Sequence, residues 1–140
     1  MRSISVITLG IMDLQRSNVF YEKLGFIKSR KSTSAITWFQ TGGTVLALYP
    51  RELLAEDATT SSEGSGFRGI ALALNMLSRN DVDVMILKAR EAGARILKTP
   101  QPVFWGGYSS YFADPDDYLW EVAYNPFTPV DEHGNLAINE

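Results

Sequence analysis

The sequence predicts an α+β fold made of two βαβββ modules in tandem. The same order of strand-like and helix-like patterns occurs twice along the 140 residues, and the two occurrences are separated by the polar segment TTSSEGSG. The halves also correspond by position, since Ile7-Thr8-Leu9 matches Ile70-Ala71-Leu72 and Leu24-Gly25-Phe26 matches Ala92-Gly93-Ala94. A single α+β sheet with accidental internal similarity is the alternative. The expected organisation, within one structural domain, is a first module at residues 5–58, a linker at 59–67, a second module at 68–126 and a C-terminal tail at 127–140.

The first module is predicted from apolar periodicity and from residues that begin and end helices. Residues 5–11 are rich in β-branched side chains and predict a strand. Asp13 can cap the helix that follows, because its carboxylate accepts hydrogen bonds from the exposed N–H groups of a first turn, and Gly25 ends that helix. Thr41-Gly42-Gly43 predicts a hairpin between the last two strands. The remaining elements are strands at 26–29, 35–40 and 44–49 and a short helix at 51–58.

The second module repeats this order. Ser78 or Asn80 can cap its helix, and Gly93 ends it. Pro100 and Pro102 predict a loop after its second strand, and Asp114-Pro115-Asp116-Asp117 predicts a tight turn before its last strand. The four strands of this module are expected at 69–75, 94–98, 108–113 and 119–124.

The composition limits the possible classes of function. Hydrophobic residues make up 45% of the chain and charged residues 21%, which is typical of a globular domain. A net charge of −3 argues against a nucleic-acid partner, since binding phosphates needs a basic face. No apolar run approaches the roughly 18 residues needed to cross a bilayer, and no signal-peptide core precedes the first strand. The chain has no cysteine, which excludes disulfides and thiolate chemistry. We therefore expect a cytoplasmic protein that has a small molecule, and neither nucleic acid nor membrane, as its partner.

Three ordered landmarks span most of the chain. The first is Ile7 to Leu14, followed by Ser17, Phe20-Tyr21 and Leu24-Gly25-Phe26; the second is Glu91 to Ala94; the third is Tyr111 to Asp116, followed by Leu119 to Val122. In this order they resemble the vicinal oxygen chelate superfamily, which includes glyoxalase I, bleomycin resistance proteins, extradiol dioxygenases and fosfomycin-resistance enzymes. The resemblance implies a glyoxalase-like fold in which curled mixed sheets enclose a ligand cavity, and a homodimer. It does not specify an activity.

The resemblance also permits a test of the metal site. Enzymes of the superfamily hold a divalent metal through His, Gln or Glu side chains on the first and fourth strands of each module. These four positions fall on Val6, Ala47, Gly69 and Glu121, and only the last of them has a donor atom in its side chain. The single histidine, His133, lies in the tail. We therefore expect neither a bound metal nor another cofactor.

Glu121 and several aromatic residues remain as candidates for a binding site. The neighbours of Glu121 on its strand should face the core, so its carboxylate should point into the cavity. There it could act as a general base, accept a hydrogen bond from a hydroxyl-bearing or cationic ligand, or be a relic bonded to a backbone or tyrosine group. Phe104-Trp105-Gly106-Gly107-Tyr108 predicts an aromatic loop that closes one end of the cavity or a simple hydrophobic plug. The candidate ligand-binding residues are Trp38, Tyr49, Trp105, Tyr108 and Tyr111.

Two cations flank the first two strands of the second module. Arg68 and Lys98 could each meet an anionic ligand, or could be solvated surface charges.

Three functions compete. The first is a binding protein that holds a small aromatic or hydrophobic molecule in a metal-free cavity. The second is a metal-independent lyase or isomerase that uses Glu121 as general base, helped by Tyr108 or Tyr111. The third, which the missing ligands disfavour, is a metal-dependent lactoylglutathione lyase or dioxygenase.

Overall fold

Two four-stranded mixed sheets, one in each half of the chain, form the framework of the protein. A computed structural model describes residues 2–138, and the chain divides between Gly66 and Phe67 into two compact units. Each unit contains the order strand, helix and three strands. The predicted α+β class and the tandem βαβββ modules are confirmed.

The first unit contains four strands and two helices. Its elements are β1 (Val6–Ile11), α1 (Leu14–Lys23), β2 (Ile27–Lys28), β3 (Thr37–Gln40), β4 (Val45–Pro50) and α2 (Arg51–Asp57). The strands lie in the order β1-β4-β3-β2, in which β1 and β4 are parallel and the other pairs are antiparallel. As predicted, Asp13 caps α1: its Oδ1 accepts a hydrogen bond of 3.0 Å from the backbone N–H of Arg16.

An aromatic cluster forms the core of the first unit. Phe20 and Tyr21 of α1 are buried and their rings meet edge to face, with centroids 5.0 Å apart. The Tyr21 ring also lies 5.9 Å from that of Phe39 in β3, which is fully buried. Phe39 pairs with Leu46 of β4, so both side chains share one face of the sheet. The side chains of Trp38 and Ala47, which pair with each other, are therefore left on the opposite face.

The second unit contains the other sheet and one long helix. Its elements are β5 (Ala71–Asn75), α3 (Arg79–Glu91), β6 (Arg95–Pro102), β7 (Tyr108–Ala113) and β8 (Leu119–Tyr124). The strands lie in the order β5-β8-β7-β6, with β5 and β8 parallel. Of the two predicted capping residues, Ser78 is the one used: its Oγ accepts a hydrogen bond of 3.1 Å from the backbone N–H of Asp81. Val82, Ile86 and Ala89 form the buried stripe of α3.

The prediction of a loop at Pro100 and Pro102 is wrong. β6 continues through both prolines to Pro102. A proline has no N–H to donate to a neighbouring strand, but β6 is the edge strand of its sheet and needs partners on one side only. Its pairing with β7 shifts register between Ile96 and Lys98 and again between Lys98 and Gln101, and Pro100 lies within the second irregularity.

The C-terminal segment is described up to residue 138, so the last two residues of the predicted tail at 127–140 lie outside the described residues. It contains one isolated bridge between Val130 and Leu136, and residues 131–138 are exposed. No helix within residues 2–138 has the length and apolar character needed to cross a membrane.

Replacing Phe39 tests the aromatic core of the first unit. Phe39→Ala should lower the free energy of unfolding by about 3–5 kcal/mol, because it removes a fully buried ring and leaves a cavity beside Tyr21. Chemical denaturation measures this change. Ile27→Ala is the control, because Ile27 is exposed on β2 and its truncation should change stability by about 0.5 kcal/mol or less. Equal effects of the two variants would contradict the assigned core.

Candidate functional site

Strand alternation places Glu121 on the side of the second sheet that faces away from α3. Trp120 and Val122 are buried, and the Trp120 ring stacks on Phe112 of β7 with centroids 6.2 Å apart. Tyr108, which shares their face of the sheet, donates a hydrogen bond to Asp83 of α3, so this face is the one that α3 covers. Because successive side chains of a strand point to opposite faces, Glu121 projects from the other side.

A tyrosine holds the Glu121 carboxylate in place. Tyr111 is the cross-strand partner of Glu121, and its hydroxyl donates a hydrogen bond of 3.2 Å to Glu121 Oε2. Burial raises the pKa of Tyr111, and the negative charge of Glu121 and this hydrogen bond raise it further. The hydroxyl therefore keeps its proton at neutral pH and remains a donor. Among residues 2–138, Oε1 of Glu121 has no hydrogen-bond partner and is available to a ligand.

A lysine lies on the other side of the same tyrosine. Lys98 of β6 is also a cross-strand partner of Tyr111, and its Nζ lies 6.0 Å from the centroid of the Tyr111 ring. The same Nζ donates a hydrogen bond of 3.4 Å to Oγ of Ser109, which is buried two residues before Tyr111. Four polar side chains thus lie near one another on three strands: Glu121 on β8, Tyr111 and Ser109 on β7, and Lys98 on β6. Ser109 was not among the predicted site residues, although its spacing of two from Tyr111 places both on one face.

Two small side chains lie beside these polar groups. Ala73 of β5 pairs with Glu121, and Ala123 of β8 pairs with Ser109. Ala73 is exposed and its side chain ends at Cβ, so it leaves space beside Glu121, whereas Ala123 is buried. We call this surface, formed by Ala73, Lys98, Ser109, Tyr111 and Glu121, the Glu121 face.

Tyr108 lies on the other side of the sheet from Glu121. Its hydroxyl donates a hydrogen bond of 2.7 Å to Asp83 Oδ1 of α3, and the Arg79 guanidinium lies 5.2 Å from its ring centroid. The hydrogen bond to Asp83 is the largest cause of the raised pKa of Tyr108. The structure therefore does not bring Tyr108 together with Glu121, and of the two predicted tyrosine partners only Tyr111 contacts the carboxylate.

Two glycines position the aromatic loop between β6 and β7. The Trp105 indole packs against Gly107 so closely that a Cβ at this position would lie 1.8 Å from Trp105 Cζ3. A Cβ at Gly106 would lie 2.8 Å from Cε2 of Phe127, and the φ of +92° at Gly106 favours glycine as well. Phe104 is fully exposed at the tip of the loop, and Trp105 is 37% exposed.

The two candidate residues of the first unit share one face of its sheet. Trp38 of β3 pairs with Ala47 of β4, and Tyr49 lies two residues further along β4. Both aromatic side chains therefore project on the side opposite Phe39, and both are half-buried. Their part in ligand binding stays a prediction.

Of the four positions that the resemblance assigns to metal ligands, three carry no donor atom in their side chains. In the first unit, Val6 and Ala47 lie on the same face, because Ala47 pairs with Thr8, and neither has a donor atom in its side chain. In the second unit, Gly69 precedes β5 with a φ of +73° and contributes no side chain. Glu121 is the single potential ligand of the four. Within residues 2–138, no three His, Asp or Glu side chains are grouped as metal ligands would be, and His133 is exposed beside Glu132.

Comparison with known proteins supports the resemblance. Residues 3–122 match the family model described as the glyoxalase/bleomycin resistance protein/dioxygenase superfamily. The chain is similar, at 32% identity and a TM-score of 0.89, to a glyoxalase-related enzyme from Fulvimarina pelagi, and the alignment covers 100% of each chain. A search among curated proteins found no match.

Two more distant structures share the fold. A glyoxalase/bleomycin resistance protein/dioxygenase family enzyme from Burkholderia phytofirmans PsJN is 21% identical with a TM-score of 0.77, covering 86% of this chain and 96% of that one. A lactoylglutathione lyase from Agrobacterium tumefaciens is 19% identical with a TM-score of 0.68, covering 89% and 95%. At these identities the likeness concerns the fold alone.

The titration of Tyr111 tests the geometry of the Glu121 face. Subtracting the ultraviolet titration of Tyr111→Phe from that of the wild type gives the titration of Tyr111 alone. Its pKa should be higher than that of free tyrosine. Glu121→Gln should lower the pKa of Tyr111, since it removes a negative charge, but should leave it above the ordinary value because burial is the largest cause of the shift. Glu91→Gln, an exposed change at the end of α3, should not alter it. An unchanged titration of Tyr111 in Glu121→Gln would refute the contact.

Proposed function

Since the chain belongs to the glyoxalase/bleomycin resistance protein/dioxygenase superfamily, we propose that it binds a small organic molecule on the Glu121 face without the help of a metal ion. One observation carries the proposal. Tyr111 holds one oxygen of the Glu121 carboxylate and leaves the other open, next to the small, exposed side chain of Ala73, which leaves room for a ligand. At the positions corresponding to the other three metal ligands, Val6, Ala47 and Gly69 provide no donor atom.

An aromatic or largely hydrophobic ligand suits this surface best. The ring of Tyr111 is flat and apolar, and together with the exposed methyl group of Ala73 it favours a molecule with a planar apolar body. The open oxygen of Glu121 favours a hydroxyl or ammonium group on that molecule, because an ionised carboxylate only accepts hydrogen bonds.

The proposal includes a homodimer in the cytoplasm. β1 and β5 are edge strands of their sheets, and edge strands offer backbone hydrogen-bonding groups to a second chain. The absence of cysteine from the sequence is compatible with a reducing compartment.

A metal-independent lyase or isomerase is the second candidate function. The observation in its favour is that Tyr111 orients Glu121 while leaving Oε1 without a partner in the described part of the chain. A carboxylate oriented in this way can accept a proton from a bound substrate, as a general base must. The binding function and the catalytic function therefore both depend on Glu121. Losing its carboxylate would weaken ligand binding in the first case and would also abolish turnover in the second.

Glu121→Gln separates the two functions. A thermal-shift screen in the presence of EDTA, covering glutathione adducts and aromatic antibiotics, should yield ligands that stabilise the wild type, because the proposed site needs no metal. If the protein only binds such a ligand, Glu121→Gln should raise the Kd about tenfold and change nothing else, because a charge-assisted hydrogen bond is lost. If the protein is an enzyme, Glu121→Gln should also lose turnover, which chromatography of the product measures.

Glu91→Gln is the matched control and should leave both quantities unchanged, because Glu91 is exposed at the end of α3. Stabilisation that occurs only after a transition metal is added would refute the metal-free proposal. Unaltered affinity and turnover in Glu121→Gln would exclude the Glu121 face as the site.

A further inference from the structure

The cation on the Glu121 face has no acidic partner. Lys98 Nζ donates to the neutral hydroxyl of Ser109 at 3.4 Å, and no carboxylate within residues 2–138 forms an ion pair with it. An ammonium group has three hydrogens to donate, so this contact leaves two of them unused. The side chain of Lys98 is half-buried rather than extended into solvent. A partly desolvated cation without a counter-ion attracts an anion.

The two other cations that flank this sheet differ from Lys98 in having structural partners. Arg68 donates a hydrogen bond of 2.8 Å to the carbonyl oxygen of Asp116, and its guanidinium lies 4.9 Å from the centroid of the Tyr118 ring. Arg95 forms an ion pair of 3.1 Å with Asp117. Of the two candidate anion contacts suggested by the sequence, the structure therefore favours Lys98 and assigns Arg68 a role in holding the turn before β8.

Lys98 and Glu121 lie at opposite ends of one tyrosine. Each is a cross-strand partner of Tyr111, Lys98 from β6 and Glu121 from β8. Because neighbouring strands are about 4.8 Å apart, the backbones that carry the two charges are separated by about 10 Å, with the Tyr111 ring between them. The Glu121 face therefore presents a positive group, an aromatic surface and a negative group in that order.

We propose that the ligand of this face is a small organic acid that carries a hydroxyl or ammonium group at its other end. Its anionic group binds the Lys98 ammonium, its body lies against Tyr111, and its donor group binds Oε1 of Glu121. Ser109 is buried and positions the ammonium by accepting its hydrogen bond. This inference rests on the proposed binding function and specifies the chemical class of its ligand.

Matched acids and amides test the charge requirement. The probes are 4-hydroxybenzoate with 4-hydroxybenzamide, and 4-hydroxyphenylacetate with its amide; each pair differs in the anionic group alone. Protein-observed NMR titration gives the Kd for each. At least one acid should bind the wild type with a Kd of about 1 mM or tighter, and its amide should bind about tenfold more weakly. Lys98→Gln should weaken binding of that acid about tenfold and leave binding of the amide unchanged.

Two further variants make the result specific. Lys88→Gln, an equal change of charge at an exposed position of α3, should leave every Kd unchanged. Ala73→Leu should abolish binding of both acids and amides, because it places a larger side chain next to Glu121 on the exposed strand β5.

The outcomes that overturn the inference are distinct from those that overturn the proposed site. Equal affinity for acid and amide, no effect of Lys98→Gln, or no binding of either acid at about 1 mM would overturn the organic-acid ligand. If Ala73→Leu abolishes binding in the first two cases, the Glu121 face remains the binding surface. If Ala73→Leu leaves the Kd unchanged, both the ligand class and the site are wrong.

Discussion

The alternation of side chains along β7 and β8 is the constraint on which the candidate site depends. Burial of Trp120, Val122 and Phe112 against α3 fixes the face of each strand, and Glu121 and Tyr111 must then project together on the other side. A slip of one residue in the register would exchange the faces and bury the carboxylate in the apolar core, where an ionised group is very costly. The hydrophobic core of the second unit thus determines the chemistry of its opposite surface.

Glu121 differs from the other three positions that the resemblance assigns to metal ligands. Those three carry Val6, Ala47 and Gly69, and none of them has a side-chain donor atom. A half-buried carboxylate still requires donors, and Tyr111 supplies one of them. The other oxygen has no partner within residues 2–138, and this is why we propose it as a binding group for a ligand. Membership of a superfamily whose members differ in chemistry is compatible with such a change.

Local features of the sequence predicted much of this architecture. The caps at Asp13 and Ser78 and the repeated order of elements depend on neighbouring residues, so they can be recognised without tertiary information. The direction of Glu121 followed from strand periodicity for the same reason. Strand periodicity also predicts that Tyr108 and Tyr111 lie on opposite faces, because they are three residues apart on one strand.

Long-range pairing explains what the sequence did not predict. β6 tolerates Pro100 and Pro102 because it is an edge strand, and its position in the sheet depends on partners distant in the chain. The same register shifts in β6 place Lys98 opposite Tyr111, so the contact of Lys98 with Ser109 and Tyr111 could not be derived from spacing alone.

The metal content of the purified protein tests the central claim most directly. The protein should be expressed in medium supplemented with zinc, nickel, iron and manganese, purified without chelators and analysed by inductively coupled plasma mass spectrometry. With Val6, Ala47 and Gly69 at three ligand positions, the metal content should be far below one equivalent and the same in the wild type and Glu121→Gln. One equivalent of a transition metal in the wild type that is absent from Glu121→Gln would contradict a metal-free Glu121 face.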